Sequence, residues 1–383
     1  MLSQKYFILN HLSFALASYL NVLPIEVDLE TGKYSRQKCE KKLLIWKCLV
    51  LVSILRFGGC LWKLLQMVFW PLEYYSLEIF PVHVMLVFGT VACTYNNYCC
   101  FFKFPEVTTS LTNYLMEDDG DDGNFDWRTV STQEIAALCL PLAFIISFLI
   151  GLFTFFYNPY APFFLFQWLG PERQNWLTFI IVLAIDCTVF TVCLFPVTML
   201  AFNCMIFFEK CIEQISSCSK LIKERLKAQK LTPMHLLLAC KRCRDLQLWI
   251  QLFNIVFADN VFWVKNIIIT LGIILISFSV LLFKKSAGYS ATFLYAGITS
   301  ALIFNLAFEK AFAIPVSLKR CKNTIVIASK KHEISQFVCK RMRSIPLVAI
   351  NVGIYHKFGR MSTVNFWSFI VRNVMRILIA HGR

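Results

Sequence analysis

Charge is scarce in this 383-residue chain: Asp, Glu, Lys and Arg make up only 16% of it, and the 23 acids are outnumbered by 38 bases. A water-soluble chain carries about a quarter charged residues, so soluble enzymes and soluble binding modules have the wrong composition. Glycine and proline are also sparse, at 14 and 12 residues, which excludes collagenous, low-complexity and disordered chains. There is no phosphate-cradling glycine loop, no Gly-x-Ser-x-Gly elbow and no paired-carboxylate site, so the chain reads as no enzyme and no cofactor is expected. What is present is apolar: 57% of residues are hydrophobic, 37 of them Phe, and the mean hydropathy is +0.61. The composition predicts an all-α polytopic membrane protein.

A helix needs about 20 mainly apolar residues to cross a hydrocarbon core. Seven stretches qualify: Leu43 to Phe69, Ser76 to Phe102, Ile135 to Tyr157, Trp176 to Phe208, Phe253 to Phe283, Ser290 to Val316 and Ser362 to His381. Lys47, Arg56 and Lys63 interrupt the first. Tyr6 to Leu23 is also apolar, but Asn10, His11 and Asn21 break it, and it reads as an amphipathic helix at the membrane surface. Short loops and termini on one side of these spans hold 26 Lys and Arg, against four on the other. That bias predicts a cytoplasmic N-terminus and an extracellular C-terminus, in the cell membrane. The expected organisation is a cytoplasmic segment over 1–42 followed by a seven-helix transmembrane domain over 43–383. Its cytoplasmic extensions fall at about 209–252, where amphipathic helices prolong the fourth and fifth spans, and at about 317–361. The charge of +15 is then a topology signal and an attraction to anionic lipid, not a nucleic-acid surface.

Motifs with chemical meaning are thin. His332-Glu333 lacks the second His of a zincin helix. Cys240-Lys-Arg-Cys243 has the spacing of half a structural zinc site, whose other half would come from Cys211, Cys218 or another chain. With no complete ligand set, no metal is expected. The other cysteines are scattered and behave as small hydrophobes. The acidic run from Glu117 to Asp126 lacks calcium-loop spacing and reads as solvated. Asn158-Pro159-Tyr160 reads as a turn. Ionisable residues inside the spans say more, because charge in hydrocarbon must face protein or water. Asp186 and Arg56 are placed to pair or to line a cavity, and Lys265 and Glu309 fall at one depth, as an ion pair would.

One stretch carries a family pattern: Ile345-Pro-Leu-Val-Ala-Ile-Asn-Val-Gly353-Ile-Tyr355-His-Lys-Phe358-Gly-Arg360-Met-Ser-Thr, an apolar segment, a glycine, an aromatic and a short polar turn ahead of the last helix. It resembles the insect-type chemoreceptor superfamily, the gustatory receptors and their odorant-receptor relatives. Leu23-Pro24-Ile-Glu-Val-Asp28-Leu-Glu-Thr31-Gly32 is similar to the gustatory lead-in to the first span. The inverted seven-span plan and the long loop between spans four and five extend the likeness along almost the whole chain, as does the end just after the last helix. The resemblance implies a ligand-gated, nonselective cation channel, a homo- or heterotetramer with related receptor subunits. Its last helix lines the pore, and its ligand, a small-molecule tastant or odorant, binds in the outer half of each bundle. The family's last helix carries Thr-Tyr, five hydrophobic residues and Gln-Phe. Counted from Arg360, the Thr falls on Arg372 or Asn373, the Gln on Ile379 or Ala380, and the gate on Arg376 or Ile377, so neither register restores the motif.

Depth and chemistry nominate Phe153, Phe156, Asp186, Ser277, Tyr295 and Thr299 as ligand-pocket lining, since aromatic walls with sparse polar groups suit a small amphipathic molecule. Arg372, Asn373, Arg376, Ile377 and Ala380 are the pore and gate candidates. Arg372 and Arg376, four apart, share one helix face. They either snorkel from lipid, ring a four-fold axis, or bury against an acid such as Asp186. At the axis they would repel cations. A multispan transporter, a divergent non-conducting receptor-like protein and a G-protein-coupled receptor are the alternatives, the first requiring an internal repeat that the chain does not show.

Overall fold

The computed structural model describes residues 7–28, 30–69, 79–116, 130–161, 164–330, 334–354, 356–359 and 362–381. The acidic run and His332-Glu333 lie outside them. Among the described residues the apolar runs become six helices long and apolar enough to cross a membrane. These are α2 (Glu40–Phe69), α3 (Ile79–Asn97, continued by a wider turn to Lys103), α5 (Thr132–Tyr157), α7 (Trp176–Lys227), α8 (Pro233–Leu282) and α9 (Ala287–Ser329). The shorter helices are α1 (Ile8–Tyr19), α4 (Pro105–Met116), α6 (Leu165–Trp168), α10 (Ser335–Ser344) and α11 (Ser362–His381). The seventh expected span is thus a helix, α11, but it is not among the six: Arg372, Asn373 and Arg376 lower its hydropathy.

Local chemistry sets where these helices start. Ser131 Oγ accepts from Glu134 N while Glu134 Oε2 accepts from Ser131 N, a reciprocal cap at the head of α5. Asn175 and Thr178 do the same for α7. Pro233 opens α8, where a missing N–H costs nothing. The 52, 50 and 43 residues of α7, α8 and α9 make rods of roughly 78, 75 and 65 Å, far longer than the ~30 Å hydrocarbon core. Over 209–252 the rods of α7 and α8 run on, and α9 continues to Ser329, followed by α10.

α7, α8 and α9 form the centre, with Phe202, Phe207, Phe208, Phe253, Phe257 and Phe304 fully buried. Phe207 stacks on Phe253 with centroids 4.5 Å apart. α5 flanks α7, α3 and α2 close the side, and α11 lies on α8 and α9. α1 docks at the basic end, where Asn10 Nδ2 donates to Ala137 O at 3.0 Å and Phe14 meets Phe202. Its inward face holds Asn10, His11 and Ser18, and its outward face holds Ile8, Leu9, Leu12 and Leu16. The following hairpin, β1 (Ile25–Val27) with β2 (Tyr34–Arg36), is tied to α4 by Asn113, which donates to Tyr34 O and accepts from Tyr34 N.

Candidate ligand-binding region and last helix

At the far end, opposite the basic one, the chain between α5 and α7 folds back as α6. Leu165 N donates to Asp186 Oδ2 at 3.3 Å, and the other carboxylate oxygen accepts from Arg56 Nε at 2.6 Å. Both side chains of this pair are largely buried. The sequence left pairing and cavity lining open for these two residues; the structure pairs them. Beside them Gly59 lies so close to the Trp168 ring that a Cβ there would sit 2.2 Å from it. Phe155, Phe164, Phe166 and Phe179 cluster under α6, with Phe155 to Phe164 centroids 4.8 Å apart. The second expected ion pair is not made. Lys265 Nζ instead donates to His356 Nε2 at 2.7 Å, while Glu309 is exposed. Equal depth on two helices does not fix the direction each side chain faces.

The six ligand-pocket candidates do not share one interior space. Asp186 and Ser277 are buried, and Thr299 is half-buried. Phe153, Phe156 and Tyr295 are 71%, 59% and 71% exposed and face away from the bundle. The difference from the expected interior lining is one of helix phase. Phe153 and Phe156 share the outer face of α5, whereas Phe155, which the sequence reading passed over, is the ring that points in. α5 is apolar all round, so no polar stripe marks its outer side. A further buried polar group is His83, whose Nε2 lies 2.8 Å from Cys60 O.

α11 packs through Phe366, Ile370 and Val374, with Phe366 stacked on Phe304 at 5.0 Å. Arg372, Arg376 and Ala380 are exposed, Asn373 and Ile377 half-buried. Asn373 Nδ2 donates to Phe369 O of its own helix. The arginines therefore point away from their own bundle, and burial against Asp186 is excluded, since Arg56 holds that carboxylate. The stretch preceding α11 is a hairpin, β3 (Asn351–Val352) with β4 (His356–Lys357). Asn254 of α8 clasps it, its Nδ2 donating to Ala349 O at 2.9 Å and its Oδ1 accepting from Asn351 N at 2.8 Å. Gly353, at φ +59°, donates its N–H to Ala258 O, and Phe358 inserts among Phe304, Phe308 and Phe312.

No family model and no curated protein matches the sequence. Solved structures do match. The insect olfactory receptor OR5 from Machilis hrabei in complex with eugenol aligns over 98% of this chain and 99% of that one, with a TM-score of 0.68 and 11% identity. This chain has the insect olfactory receptor fold. A second structure of OR5 aligns over 97% and 99%, with a TM-score of 0.61 and 10% identity. The shared fold runs end to end, so α1, the clasped hairpin and α11 are parts of it rather than appendages. These neighbours are receptors, not enzymes.

Proposed function

We propose that the chain is a chemosensory receptor of gustatory type that opens a cation-conducting pore when a small tastant or odorant binds. In this reading the receptor sits in the cell membrane as a homo- or heterotetramer with related subunits, N-terminus in the cytoplasm and C-terminus outside. α11 is the seventh span and lines the shared pore, and α7 to α10 carry the cytoplasmic contacts between subunits. The carrying observation is the full-length likeness to a receptor solved with eugenol. The ligand region of this reading lies under α6, beside the Arg56–Asp186 pair and the Phe155, Phe164 and Phe179 rings, rather than on Phe153, Phe156 or Tyr295, whose side chains are exposed. Small apolar ligands with one or two polar groups suit such walls. The alternative is a divergent, non-conducting receptor-like protein, which the arginines of α11 favour.

The test is expression in cultured cells with an epitope after Arg383, combined with current recording against a panel of small volatile and bitter compounds. Staining on intact cells and a ligand-evoked current support the reading. Staining only after permeabilisation overturns the topology. Surface-labelled protein that forms no four-fold particle and passes no current leaves the non-conducting alternative.

A further inference from the structure

Three buried cysteines meet at the basic end, each brought by a different rod: Cys218 by α7, Cys243 by α8 and Cys321 by α9. Their Sγ atoms all lie within 4.8 Å of one another. The sulfurs border a cavity of about 440 Å³ that Glu213, Arg242 and Asp245 also line. Cys240, the expected partner of Cys243, is a turn away on α8 and outside the trio. Of the partners considered from the sequence, Cys218 is present, and Cys321 is the ligand no spacing revealed.

We propose that Cys218, Cys243 and Cys321 bind one zinc ion per chain, with a water in the fourth position, where the cavity adjoins the trio. At a Zn–S distance of about 2.3 Å, tetrahedral sulfurs stand roughly 3.8 Å apart, so the trio closes on the ion by at most about 1 Å. Binding releases the thiol protons to solvent and leaves a three-thiolate complex of net charge −1. Arg242, which acts on Cys218 through its charge, offsets that charge. Soft thiolates select zinc over magnesium and calcium. The ion would pin α7, α8 and α9 to one another beyond the membrane. The proposal does not depend on the receptor reading, and its test reads no current.

The experiment uses the full chain, purified in detergent with a non-thiol reductant and stripped by a chelator. Cadmium(II) is titrated as the probe, its thiolate charge-transfer absorption is followed, and zinc is then used to displace it. One site per chain is expected, weakened about tenfold or more in Cys218→Ser, Cys243→Ser and Cys321→Ser. Cys204→Ser, a buried cysteine elsewhere on α7, should bind as the parent does. Absorption that fails to develop, or that survives unchanged in Cys321→Ser, overturns the site. Should the serine variants not fold, the parent decides alone. Zinc must raise its thermal midpoint and the chelator must reverse the rise; an unmoved midpoint, or a disulfide between two of the three in the reduced preparation, refutes the proposal.

Discussion

Arg56 Nε donates to Asp186 Oδ1 at 2.6 Å, joining α2 to α7 across 130 positions of sequence. Inside a membrane neither charge is tolerable alone. Asp186→Asn and Arg56→Ala each strand a buried partner and should cost ~3–5 kcal/mol, read as a lower thermal midpoint in detergent. The double apolar replacement Arg56→Met with Asp186→Leu should recover most of that loss. If it is as unstable as the single variants, the pair is not an isolated ionic contact.

Asn254 of α8 clasps the hairpin ahead of α11 at two backbone atoms. Asn254→Ala leaves Ala349 O and Asn351 N without their partner and should cost ~1–3 kcal/mol. Gly353→Ala places a Cβ at positive φ and 3.3 Å from Phe262 Cβ, costing about 1–2 kcal/mol from the backbone alone. Both should lower the thermal midpoint, and a Gly353→Ala protein as stable as the parent would contradict the observed backbone.

His11 makes stability depend on pH. Burial lowers its pKa, and its Nδ1 lies 2.7 Å from the Tyr34 hydroxyl. The unfolded chain takes up that proton at about pH 6.5 and the folded chain only at lower pH. His11 therefore contributes no penalty above that value and an increasing one as pH falls below it. His11→Gln should flatten the decline of the thermal midpoint between about pH 6.5 and 5 relative to the parent; parallel curves would exclude the effect.

The arginines of α11 set the permeation experiment. If their outward face borders the pore, replacing Arg372 and Arg376 together by Thr or Gln should raise cation conductance and shift the reversal potential toward that of a cation-selective channel. An unchanged reversal potential and conductance, in a parent that conducts, would place both side chains in lipid instead.

The sequence reading located what hydropathy and composition control. Six apolar runs became membrane-length helices, and the stretch around Gly353 forms a hairpin held against α8. It failed where rotation about a helix axis decides. Phe153 and Phe155 are two positions apart, yet one faces out and the other in, and an all-apolar α5 offers no stripe to say which. Lys265 and Glu309 share a depth but not a direction. Cys218, Cys243 and Cys321 come together only because three rods pass one another at the same level, which no local spacing encodes. α11 is the opposite case: its arginines mark a face clearly, and that face is exposed in the single chain.

The unbroken length of α7 has a mechanical consequence. A rod of about 78 Å that pivots by 2° near Asp186 moves its distal end by roughly 2 Å, about half the width of a methyl group. A tilt begun where α6 leans on Asp186 would therefore reach Cys218 enlarged, less whatever bend Pro196, inside α7 between the two, takes up.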